Sequence, residues 1–168
     1  MEENRGGFSF YAEDGELEAK AVEYLKENKL TVAFAESCTG GLASKRIVDV
    51  PGASAVFVGS IVSYSNDVKM RLLGVKGETL AAHGAVSSQT AAEMAIGACL
   101  ATGADIGVSV TGIAGPASDD TKKPVGLVYI GRCQGAEVKV IELDLSGNDR
   151  QSVRYLSSSH AIYSIFSY

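Results

Sequence analysis

Apolar positions along the chain alternate between a helical and an extended rhythm. Leu17, Ala21, Tyr24 and Leu25 recur at helical spacing among charged residues, which predicts an amphipathic helix from Glu16 to Asn28 with Asp14 available as its N-cap. Leu30 to Ala35 is continuous, apolar and partly β-branched, the mark of a buried strand. It runs into Glu36-Ser37-Cys38-Thr39-Gly40-Gly41, a glycine turn, after which Leu42, Ala43 and Ile47 resume helical spacing until Pro51-Gly52. Ala55 to Ser63 predicts a second strand, leading into Tyr64-Ser65-Asn66-Asp67, where Ser65 or Asn66 can cap a short helix that carries Lys69. A further short helix is expected to end at His83-Gly84.

Ser87 or Ser88 opens a longer helix with Ala91, Met94, Ala95, Ala98 and Cys99 as its apolar stripe and Gly103 placed to end it. Asp105 to Val110 predicts a third strand delivering Thr111-Gly112-Ile113-Ala114-Gly115-Pro116, and a polar loop follows from Ala117 to Lys123. Val125 to Cys133 and Glu137 to Leu143 pair as a hairpin, and Asp149 caps a last helix reaching about Phe166. Helices interleaved with strands and then a hairpin predict a three-layer α/β/α sandwich with a mixed β-sheet. Its functional loops should gather at one sheet edge, where open α/β folds bind ligands.

At 168 residues the chain suits one domain, with residues 1–13 expected as a loosely held arm and 14–168 as the domain. A net charge of −5 without a long basic run argues against nucleic-acid binding. No signal-like or membrane-spanning apolar stretch is evident, so a cytoplasmic protein with no membrane partner is expected. Cys38, Cys99 and Cys133 lack CxxC spacing and read as free thiols, and His83 and His160 are too few for a histidine-rich metal centre. No cofactor or metal is expected.

Ser37 leaves a strand ahead of a Gly-Gly turn that opens a helix. Such a residue is either a nucleophile or a simple helix cap, and the N–H groups that follow can hold an oxyanion or a phosphate. Cys38 competes as nucleophile, although adjacent strand residues point to opposite faces, so only one of the two should face the cleft. Neither histidine is well placed as base: His160 lies among the apolar residues of the terminal helix, and His83 suits a C-terminal cap. Tyr64 and Lys69 are the better candidates, because a lysine in a dry pocket loses its proton readily and a nearby lysine favours a tyrosinate. Thr111 and Gly112 form a second place where backbone can approach a ligand.

The segments A-E-S-C-T-G-G (35–41), V-P-G-A-S (50–54), Y-S-N-D-V-K (64–69), L-L-G-V (72–75), H-G-A-V-S (83–87), T-G-I-A-G-P (111–116) and K-P-V-G (123–126), in this order, resemble the CinA C-terminal domain over residues 14 to 166. The resemblance implies a metal-independent nicotinamide-nucleotide amidase, hydrolysing nicotinamide mononucleotide to nicotinic acid mononucleotide and ammonia. It puts the family serine on Ser37, the tyrosine and lysine on Tyr64 and Lys69, and the threonine on Thr111. Ser37 would attack the carboxamide while Tyr64 and Lys69 manage protons. N–H groups from Cys38 through Thr39 to Gly40 would hold the oxyanion, and Thr111, Gly112 and Asn66 would position the nucleotide substrate. The loop from Ala117 to Lys123, with Asp119-Asp120, departs from the glycine-rich loop of relatives. A non-catalytic nucleotide-binding or regulatory module is the alternative, and a homodimer or higher homo-oligomer is expected.

Overall fold

The computed structural model describes residues 15–118 and 122–167. The arm expected at 1–13, the Asp14 cap and the Asp119-Asp120 pair lie outside the described residues. The chain runs α1 (Glu16–Asn28), β1 (Val32–Glu36), α2 (Leu42–Val48), a 3-10 turn (Ala53–Ala55), β2 (Phe57–Val62), α3 (Asn66–Leu73), α4 (Gly77–His83), α5 (Ser88–Thr102), β3 (Ile106–Gly112), β4 (Leu127–Gln134), β5 (Glu137–Asp144) and α6 (Arg150–Ser167). The sheet order is β2-β1-β3-β4-β5, with β1 parallel to both β2 and β3, and with β4 and β5 antiparallel. The mixed three-layer sandwich therefore stands as expected.

Alternation along β1 divides the core into two layers, since successive strand residues face opposite sides. Val32 and Phe34 pack with α1, α2 and α6 through Leu25, Ile47 and Ile162, whereas Ala33 and Ala35 pack on the other side with Leu73, Met94 and Ala98 of α3 and α5. Helix starts follow local chemistry. Ser65 accepts the Val68 N–H at 3.3 Å, Ser87 that of Thr90 at 3.2 Å, and Asp149 that of Ser152 at 2.8 Å, each satisfying an amide the helix cannot pair internally. Gly74 and Gly103 close α3 and α5 in the left-handed region.

Strand ends differ from expectation for a tertiary reason. Parallel pairing of β1 with β3 stops at Glu36 opposite Val110, but β3 continues through Thr111 and Gly112 because β4 pairs with them from the other side. Gly112 permits this approach: a Cβ there would lie 2.8 Å from the Leu127 carbonyl oxygen. β4 begins two residues later than expected because Gly126, with φ +94°, forms the entry turn.

Helix α5 lies close under the lysine-bearing helix, where a Cβ on Gly97 would sit 2.0 Å from the Leu73 carbonyl oxygen. Backbone cannot yield as a flexible side chain can. Gly97→Ala is expected to cost about 3 kcal/mol in urea unfolding, with α3 displaced from α5.

Candidate active site

The ends of β1, β2 and β3 meet at one edge of the sheet, the carboxyl edge at which parallel strands present ligand-binding loops. Backbone bonds lock them together: the Ser63 N–H donates to the Glu36 carbonyl at 2.8 Å, and the Ser37 N–H to that of Val110 at 2.9 Å. The result is a cleft of about 270 Å³ bordered by Ser37, Tyr64, Lys69, Thr111, Gly112 and Arg150, among others.

Lys69 points inward from α3 and is 1% exposed. Its Nζ donates to Ser37 Oγ at 3.0 Å and to the Ser63 carbonyl at 2.6 Å. Burial pushes its pKa down to about 8, because a dry surrounding penalises the charged ammonium. Tyr64 is 63% exposed at the mouth, where its hydroxyl accepts an N–H from Arg150 at 3.3 Å. The structure thus brings Lys69, not Tyr64, against the Ser37 hydroxyl.

Both Ser37 and Cys38 border the cleft, contrary to the expectation that only one would. The strand has ended at Glu36, so strict alternation no longer applies. Cys38 is buried, and that burial pushes its thiol up to about 12, which leaves it protonated and a poor nucleophile at neutral pH.

The expected anion-binding role of the α2 N-terminus is corrected by Glu36, which is fully buried. Its carboxylate accepts the N–H groups of Gly41 at 3.0 Å, Ala43 at 3.1 Å and Ser44 at 2.9 Å, together with the Ser44 hydroxyl. The chain's own anion therefore occupies the place a substrate phosphate would take. Gly40 is also withdrawn from the expected oxyanion donors, because its N–H donates to the Ser37 carbonyl at 3.1 Å. Among the described residues no carbonyl or carboxylate accepts the N–H of Cys38 or Thr39.

Thr111 is buried and borders the cleft, while its hydroxyl donates to the Ala85 carbonyl at 2.7 Å, tying the 84–87 loop to β3. The Thr39 side chain is buried, and Asn66 is exposed as the first residue of α3; neither borders the cleft. His83 ends α4 and is exposed, and burial pushes His160 down to about 4. Neither histidine borders the cleft.

Sequence reading missed two arginines of α6. Arg150 donates to the Gly115 carbonyl at the cleft rim, and Arg154 donates to the carbonyls of Cys38 at 3.2 Å and Thr39 at 2.8 Å. It also missed Glu36, although a carboxylate ending a buried apolar strand is a signal in itself, since such a charge must find several donors. A larger cavity of about 590 Å³ lies between α1, α2 and α6, where Glu18 and Arg46 pair and Arg46 stacks 4.4 Å over the Tyr155 ring. It is bordered by no serine, cysteine or histidine. Among the described residues no helix is long and apolar enough to cross a membrane.

A family model described as the CinA C-terminal domain matches residues 14–168. A Clostridium novyi protein, provisionally named as competence-damage inducible, is 54% identical over 153 residues, 90% of this chain and 36% of its own length. A namesake from Clostridium acetobutylicum is 55% identical over 141 residues, 84% of this chain and 34% of its own. The chain thus spans about a third of the length of the curated relatives it matches. The crystal structure of competence/damage inducible protein CihA from Agrobacterium tumefaciens superposes with a TM-score of 0.89 at 37% identity, covering 95% of this chain and 98% of that one. The competence damage-inducible protein A structure from Klebsiella pneumoniae gives 0.87 at 29% identity, covering 90% and 94%.

A titration of the Lys69 side chain by NMR should give a midpoint of about 8. Between about 8 and the ordinary lysine value of 10.5 the unfolded chain holds a proton that the folded chain has released, so folding stability rises with pH across that window. Lys69→Met should lack this rise when unfolding is followed over the same range.

Proposed function

Since the chain belongs to the CinA C-terminal domain family, we propose that it is a serine amidohydrolase that hydrolyses the carboxamide of nicotinamide mononucleotide to nicotinic acid mononucleotide and ammonia. The observation that carries this reading is the 3.0 Å contact between Lys69 Nζ and Ser37 Oγ at the floor of the cleft. A serine hydroxyl needs an adjacent base to act as nucleophile, and an amine with a pKa of about 8 is deprotonated often enough near neutral pH to serve. In its neutral form Nζ keeps one hydrogen on the Ser63 carbonyl and turns its lone pair to the Ser37 hydroxyl.

Ser37 Oγ attacks the carboxamide carbon as its proton moves to Lys69, and the carbonyl electrons move onto oxygen. The N–H of Cys38, which borders the cleft, receives that oxyanion. When the intermediate collapses, Lys69 returns the proton to the departing nitrogen, and ammonia leaves an ester on Ser37. Water then attacks the ester with Lys69 again taking a proton, that proton returns to Ser37 as the acyl–oxygen bond breaks, and the acid product gives its remaining proton to solvent and departs as a carboxylate.

Two groups at the mouth support a substrate of this class. Arg150 is the cation besides Lys69 among the residues bordering the cleft, and its guanidinium suits a phosphate. The exposed ring of Tyr64 suits a pyridinium by cation–π attraction.

With nicotinamide mononucleotide as substrate, Ser37→Ala and Lys69→Met should each lower kcat by at least about a thousandfold while the fold persists. In the wild type kcat/KM should rise about tenfold per pH unit below the Lys69 midpoint of about 8 and level off above it. Ammonia release that is equal in wild type and Ser37→Ala would defeat the nucleophile assignment.

A further inference from the structure

The turn that follows Ser37 is held from outside by a residue 116 positions further along the chain. In a trans peptide the carbonyl and the N–H of one unit point in opposite directions, so whatever holds a carbonyl also aims the amide behind it. The Ser37 carbonyl accepts the Gly40 N–H at 3.1 Å, which aims the N–H of Cys38. The Cys38 carbonyl accepts Arg154 Nε at 3.2 Å, which aims the N–H of Thr39. The Thr39 carbonyl accepts Arg154 Nη2 at 2.8 Å and the Leu42 N–H at 3.3 Å, so the third peptide cannot turn over either. Glu36 pins the far side of the same turn through the first amides of α2.

Resting on the amidase reading, we propose that Arg154 is a positioning residue which, from α6, fixes the 38–39 and 39–40 peptides, so that the Gly40 N–H stays on the Ser37 carbonyl and the Cys38 N–H is held toward the oxyanion in the cleft. Its planar fork reaches two successive carbonyls at once, which a lysine ammonium on a flexible stem does not reproduce. Arg154 need not touch substrate. Removing the clamp frees the 38–39 and 39–40 peptides to rotate, the Gly40 N–H loses its aim at the Ser37 carbonyl, and the Cys38 donor that stabilises developing charge is weakened in the transition state while ground-state binding is kept.

The test measures ammonia release from nicotinamide mononucleotide by wild type, Arg154→Gln, Arg154→Lys and Arg154→Ala, beside 15N–1H spectra of the substrate-free proteins. Arg154→Gln should lower kcat by between about tenfold and about a hundredfold with KM within about threefold, and the pH midpoint should stay at the wild-type position because Lys69 is untouched. Arg154→Lys should recover only part of the loss, and added guanidinium ion should raise the kcat of Arg154→Ala. In the spectra of Arg154→Gln, the amides of Thr39 and Gly40 should shift while those of β3 and α5 remain in place.

A rise in KM with kcat preserved would overturn the proposal by making Arg154 a substrate contact. Wild-type kcat in Arg154→Gln would overturn it and leave the amidase reading standing. A wild type that releases no ammonia defeats the amidase reading instead, and the spectra then decide the clamp: unmoved Thr39 and Gly40 amides overturn it.

Discussion

The site depends on placing the ammonium of Lys69 out of water and against one serine hydroxyl. A dry lysine is unfavourable while charged, so the surrounding fold must hold it there. Helix α3 does this with little slack: Ser65 sets its first turn, Gly74 its end, and Leu73 lies on the bare backbone of Gly97 in α5. The lysine emerges from the buried side of that helix beneath the end of β2, where the Ser63 carbonyl gives it a fixed partner.

Burial keeps Lys69 easy to deprotonate, and Glu36 is not its hydrogen-bond partner. A carboxylate one residue before Ser37 could have paired with the lysine, and the pair would have raised the ammonium's pKa. Instead the carboxylate is consumed by three amides and one hydroxyl at the start of α2, and no carboxylate hydrogen-bonds Lys69 among the described residues. The two buried charges are satisfied separately: the anion stiffens the turn and the lysine remains poised to take a proton. The same turn is gripped from α6, so elements from both ends of the chain converge on residues 37 to 41.

Local signals in the chain predicted what local physics decides. The bounds of α1 and the aspartate cap of α6 are matters of nearby residues, and the structure has them where spacing put them, while at α3 and α5 it takes Ser65 and Ser87 from the two candidates that each start offered. Family resemblance, not spacing, joined Ser37 to Lys69, because no periodicity links a strand end to the inner side of a helix 32 residues later. The misses share that cause. Arg150 and Arg154 look like solvated positions of an amphipathic helix until the fold brings Arg150 to the cleft and Arg154 to the turn after Ser37, and the extension of β3 through Gly112 exists only because β4 pairs with it. Glu36 was legible in principle as a charge on a fully apolar strand, but which donors would satisfy it follows only from the turn's shape.

The most direct measurement needs no natural substrate: labelling by a fluorophosphonate, which reacts with an activated serine, followed by peptide mass analysis across a pH series. One modified peptide is expected, bearing the phosphonyl group on Ser37, formed at a rate that rises with pH through about 8 and abolished in Lys69→Met. Labelling at Cys38, or a Ser37 rate indifferent to pH and to the loss of Lys69, would contradict the Ser37–Lys69 assignment.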